Sequence, residues 1–129
     1  MNRAPDWFLQ AEQDLHMSQV AQAAGRHEWA CFAAHQAAEK ALKALHLWQG
    51  QEAWGHLTAR LLRELPQSAP AELIEKARYL DALYIPTRYP DAFPEGAPAE
   101  HYGPLQSQEA VSYAEAILGY VRAQMARPG

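Results

Sequence analysis

Arg88 stands in a stretch whose residue types suit chemistry better than packing: Tyr84-Ile85-Pro86-Thr87-Arg88-Tyr89-Pro90-Asp91-Ala92-Phe93. Its guanidinium is planar, permanently charged and forked, which suits a phosphate. Tyr84, Tyr89, Phe93 and the later Tyr102 offer ring faces on which bases could stack. Asp91 could orient Arg88 or a substrate hydroxyl. Pro86 and Pro90 bracket the arginine and stiffen the backbone around it. A plainer reading uses the same residues: Arg88 caps carbonyls at the end of a preceding helix, and the rings pin a loop. The residues alone leave both readings open.

Other candidates are weaker. Gln36, Lys40 and Lys43 fall at i, i+4 and i+7, one line along a helix. That line could contact phosphate, or it could be a solvated face whose lysine stems cover apolar surface. His35 and Glu39 at i, i+4 could bind a metal only with a third ligand. His35 and His46 would sit roughly 16 Å apart along a helix axis, too far to share an ion. His56 follows Gly55 at the start of a leucine-rich segment, where a histidine caps or packs unless a partner makes it a base. Cys31 lies among alanines and reads as a buried, inert thiol. There is no Gly-rich phosphate loop and no Gly-x-Ser-x-Gly elbow. The expectation is therefore no metal and no cofactor.

These residues must be positioned by helices, because every periodic segment repeats near 3.6 residues and none alternates as a strand does. Pro5 and Asp6 suit a first turn, and Phe8, Ala11, Leu15, Ser18, Ala21 and Ala24 mark helix 1 up to Gly25. His27 to Gln49 is helix 2. Ala30, Cys31, Ala34, Ala38, Ala41, Leu42, Leu45 and Trp48 share one face, with Trp29, Ala33 and Leu47 on the other. A helix apolar on most sides belongs at the centre of its bundle. Leu57, Leu61, Leu62 and Leu65 mark a short third helix that Pro66 stops. Ala71 to Tyr84 is helix 4, ended by Pro86. Ile85 to Pro104 reads as a long loop, the kind that tends to carry function. Gln106 to Met125 is the last helix, and Ala126 to Gly129 is expected to fray. The fold expected is all-α, an antiparallel four- to five-helix up-and-down bundle, in a single domain over residues 1–129 with its core in 5–125.

A chain of 129 residues with 49% hydrophobic and 20% charged residues can bury a core without staples. One cysteine rules out an internal disulfide and suggests a reducing, cytoplasmic setting. No apolar run suits a signal peptide or a membrane span. A net charge of −4 argues against broad, charge-driven binding to a nucleic acid duplex.

The run Trp29-Ala30-Cys31-Phe32-Ala33-Ala34-His35-Gln36-Ala37-Ala38-Glu39-Lys40-Ala41-Leu42-Lys43-Ala44-Leu45 closely resembles the helix 2 pattern of HEPN domains (higher eukaryotes and prokaryotes nucleotide-binding). Gly55-His56-Leu57 is similar to that family's short third-helix start, and Thr87-Arg88-Tyr89-Pro90-Asp91 to its "RYPD" loop. The resemblance covers about residues 3–125. It implies a helical bundle that commonly forms homodimers and often pairs with a small nucleotidyltransferase as a toxin–antitoxin couple. Active members are metal-independent ribonucleases with an arginine followed, four to six residues later, by a histidine. Arg88 matches, but Phe93 stands where that histidine belongs. Loss of a general acid–base group removes about 10²–10⁴ of rate. His101 is the nearest later substitute, and His35 or His56 could serve across a dimer. The resemblance thus implies a nucleotide- or RNA-binding protein with weak or absent ribonuclease activity. Arg88, Asp91 and His101 are its candidate catalytic residues, and Arg88, Tyr89, Asp91, Tyr84, Lys40, Lys43 and Gln36 its candidate binding residues. An active ribonuclease and a purely structural interaction module are the alternatives.

Overall fold

The computed structural model describes residues 1–127. Helix α1 spans Ala4–Ala23, α2 His27–Trp48, α3 Thr58–Arg63, α4 Ala71–Asp81, α5 Pro98–His101 and α6 Pro104–Met125. No strand occurs among the described residues, so the all-α expectation holds. No helix among them is long and apolar enough to cross a membrane.

Gly25, at φ 75°, makes the turn that folds α1 back onto α2. Helix α2 packs against every other helix, as its nearly all-round apolar character predicts. Its small residues Ala34, Ala37, Ala38 and Ala41 are fully buried and let neighbouring helices approach closely. Leu42 and Leu45 then fill the space against Leu61, Leu62, Leu80, Ile117 and Leu118. Trp48 departs from the expected buried face and is exposed, because it is the last residue of α2.

The region after α4 is more ordered than a loop. Helix α4 stops at Asp81, three residues before the expected Tyr84. Short i→i−3 bonds carry the chain on, from the Leu83 N–H to the Leu80 carbonyl (2.9 Å) and from the Tyr84 N–H to the Asp81 carbonyl (3.2 Å). Pro86 has no N–H to continue a helical ladder, and the tighter turns follow from that. Beyond it lie a 3₁₀ turn at Pro90–Ala92 and the short helix α5, both inside the stretch expected to be a loop. The tail expected to fray falls partly on residues 128–129, outside those described.

Candidate functional site

Three bonds aim Arg88. The Thr87 hydroxyl donates to the Leu83 carbonyl at 2.6 Å and anchors the preceding residue in a buried position. The Arg88 N–H donates to the Ile85 carbonyl (3.1 Å), and its Nε donates to the Tyr84 carbonyl (2.9 Å). The capping role is therefore real, but it uses Nε alone. The guanidinium carbon lies 4.6 Å from the ring centre of Tyr84, 4.7 Å from Phe32 and 4.9 Å from Tyr89. Among the described residues its two Nη groups donate to no protein acceptor, and no carboxylate pairs with it. Asp91 is exposed on the 3₁₀ turn and does not bond to Arg88.

Tyr84 joins this arginine to a second polar group. Its ring stacks on His56 at 5.0 Å and 19°, and lies 5.0 Å from buried His35. Arg88 and His56 therefore lie no farther apart than the sum of their distances to this ring. Nδ1 of His56 is 3.1 Å from both oxygens of Glu39, so the Nδ1–H donates to that carboxylate. The opposite nitrogen, Nε2, is left to act as acceptor or, when protonated, as donor. Glu39 is itself buried and takes a second bond from Lys43 Nζ at 3.0 Å.

A buried hub beneath these residues holds them in place. Asp81 Oδ1 accepts the Thr58 N–H (2.7 Å) and the Thr58 hydroxyl (2.7 Å), and Oδ2 accepts the Ala59 N–H (3.0 Å). The carboxylate at the end of α4 thus caps the start of α3 from outside, and Leu57 at the N-cap contributes no side-chain bond. His35 Nε2 lies 3.2 Å from Asp81 Oδ1, while its Nδ1 is buried without a partner. Burial pushes the Asp81 carboxyl upward, but the bonds from His35, Ala59 and Thr58 outweigh it and hold its pKa below the ordinary value.

The remaining candidates are placed elsewhere. Lys40 Nζ is tied to Asp14 on α1 at 2.6 Å, and Lys43 lies 5.8 Å from the Trp7 ring centre. The Gln36–Lys40–Lys43 line therefore faces α1, and half-buried Gln36 makes no side-chain hydrogen bond among the described residues. Only Lys43 connects to the Arg88 region, through Glu39, His56 and Tyr84. His101 stacks on Phe93 at 3.9 Å and 7°, and its Nε2 donates to the Glu95 carbonyl at 2.7 Å. Cys31 is buried, and burial followed by the charge of Glu28 pushes its thiol up to about 12, consistent with an inert core residue. Phe32, Glu39, His56 and Asp81 complete the site, and residue spacing does not single them out as members. Glu39 and His56 are visible individually, whereas nothing local marks Asp81 as a cap for another helix.

The family model for the HEPN domain matches residues 4–124. Three solved structures share the whole architecture. TT1696 from Thermus thermophilus is 51% identical, with a TM-score of 0.94, covering 96% of this chain and 99% of that one. ST0689, an archaeal HEPN homologue, is 42% identical with a TM-score of 0.84, covering 97% and 99%. An HEPN domain protein from Thermotoga maritima, tm0613, is 33% identical with a TM-score of 0.78, covering 95% and 99%. No curated protein matches the chain. The chain belongs to the HEPN domain family.

Proposed function

We propose that this chain is a nucleotide- or RNA-binding HEPN protein whose phosphate-contacting residue is Arg88. The observation that carries the reading is the state of the guanidinium. It is fixed by the Tyr84 carbonyl and three aromatic rings, yet has no carboxylate among the described residues to neutralise it. A structural arginine in a protein with net charge −4 has many acids to choose from. One held between rings with free Nη donors is suited to an anionic, aromatic ligand. Family resemblance supports the rest of the reading: a cytoplasmic single-domain protein, a homodimer, and a small nucleotidyltransferase partner in a toxin–antitoxin couple. Ribonuclease activity is weak or absent because Phe93 occupies the motif histidine position. The test is a melting-temperature shift with nucleotides and short single-stranded RNA. Wild type should shift and Arg88→Ala should not. An equal shift in both would sink the reading.

One observation favours a second reading, the active ribonuclease. His56 is oriented by Glu39 and shares the Tyr84 ring with Arg88. Such a histidine is equipped to take a 2′-hydroxyl proton. Metal-independent RNA cleavage by wild type that disappears in both His56→Ala and Arg88→Ala would select this reading over the first.

A further inference from the structure

Beside the Arg88 cluster, a cleft of about 320 Å³ is lined by Trp54, Gly55, His56, Leu57, Arg60 and Tyr84. Three of its walls are flat rings. Trp54 is 78% exposed, an unusual state for the largest apolar side chain. It precedes Gly55, which at φ 92° makes a conformation that L-residues rarely adopt. Its ring therefore projects from a segment without helix or strand, at a point where two further clefts of about 570 and 250 Å³ also meet it. These neighbours lack the connection that matters. Of these three clefts, the 320 Å³ one alone includes Tyr84, and Tyr84 is the ring against which Arg88 lies.

We infer that this cleft is the base subsite of the Arg88 site, so that the ligand is a nucleotide unit with its phosphate on Arg88 and its base against Trp54. The inference rests on the reading of Arg88 as a phosphate group's partner and adds the class of group beside that phosphate. Size agrees, since small-ligand pockets begin near about 300 Å³. Chemistry agrees as well. The faces of Tyr84 and Phe32 nearest Arg88 are taken up by its guanidinium, so a base stacks elsewhere. Trp54 has no such neighbour, and among the described residues no ring or cation contact involves it. His56 adds an edge contact. With Nδ1–H committed to Glu39, neutral His56 offers Nε2 as an acceptor for an exocyclic amino group. Arg60 also lines the cleft, but it is paired with Glu64 at 3.2 Å, which leaves the phosphate role to Arg88.

The test is calorimetric titration of the full chain with the four nucleoside 5′-monophosphates and with ribose 5-phosphate, which keeps the phosphate and lacks the base. Stacking on one ring is worth about 5- to 150-fold in affinity. Wild type should bind the best nucleotide at least about 5-fold more tightly than ribose 5-phosphate. Trp54→Ala removes an exposed side chain and leaves the core intact. It should bring the nucleotide down to the level of ribose 5-phosphate and leave ribose 5-phosphate unchanged. Arg88→Ala should weaken both ligands. If Trp54→Ala binds nucleotides as wild type does while Arg88→Ala does not, the base subsite is wrong and the phosphate reading survives. If wild type binds none of these ligands, both fall.

Discussion

Replacing Asp81 with alanine should destabilise this protein through the hub beneath the site. The carboxylate satisfies two backbone N–H groups at the start of α3, those of Thr58 and Ala59. Losing a cap of this kind costs about 0.5–2 kcal/mol. It also leaves His35, which has 0% exposure, with a second ring nitrogen lacking a partner, and an orphaned buried donor costs about 1–3 kcal/mol. The Thr58 hydroxyl is spared, because the Ala77 carbonyl at 3.0 Å remains within its reach. The expected loss is about 1.5–5 kcal/mol. At an m-value of about 2 kcal/mol per molar urea, the midpoint should fall by roughly 0.8–2.5 M. Asp81→Asn keeps one carbonyl oxygen but turns an NH₂ towards a donor, and should fall between wild type and alanine. The pH dependence follows from the lowered Asp81 pKa. The ionised form contributes stability that is fully present above the ordinary carboxyl value of 3.8, and that stability is lost as pH falls through the lower folded value. The gap between wild type and Asp81→Asn should therefore be full at pH 7 and close only below about pH 4. Urea melts followed by circular dichroism at both ends of that range decide the matter. A loss under about 1 kcal/mol for alanine at pH 7, or a gap that persists unchanged into strong acid, would show that the hub is not formed as described.

Arg88→Lys keeps the charge but not the planar fork, so it should lose about 1–2 kcal/mol of stability from the Tyr84 bond and the ring contacts, together with nucleotide affinity. Thermal melts and the same titration measure the two losses separately. Phe93→His supplies the histidine that the proposed ribonuclease-like motif calls for, and on that reading should raise metal-independent RNA cleavage by about 10²–10⁴ over wild type, read on a labelled oligonucleotide with chelator present. Gly96→Ala should cost at least about 1 kcal/mol in a urea melt, because φ is +85° and the new Cβ would meet His101 Nε2 at 2.9 Å. A neutral result there would mean that residue 96 does not hold its left-handed backbone conformation.

The helices were legible because each obeys a local rule. Alanine spacing and all-round apolarity place α2 at the centre, and Gly25 and Pro66 mark the ends of α1 and of the α3 segment. The boundary of α4 was legible only approximately. Pro86 bars the helix from continuing, but the chain leaves helical geometry earlier, where i→i−3 bonds take over near Leu83. The site divided in the same way. Tyr84, Arg88 and Tyr89 lie close in sequence and do come together. Lys40 looks available along its helix, yet its partner Asp14 belongs to α1 and cannot be read from periodicity. Asp81 is invisible for the same reason: its work is to cap a helix that starts 23 residues earlier. Pairings between elements decide these cases, and a single sequence carries no local mark of them.

Phe93 reads at first as an absence, the place where a histidine would complete the motif. In the fold it has a use of its own. Its ring stacks face to face on His101 and meets Tyr102 edge-on at 6.2 Å. That small cluster, with the Glu95 bond, gives His101 two anchors. Swinging His101 towards Arg88 would break both, at a cost of about 2 kcal/mol, and would leave a few per cent of molecules in that arrangement. His56 needs no such movement. It already borders the Tyr84 ring, its Nδ1 is already committed to Glu39, and its side chain is 56% exposed to an incoming ligand. Phenylalanine at position 93 thus holds His101 by stacking, while His56 is the imidazole that shares the Tyr84 ring with Arg88.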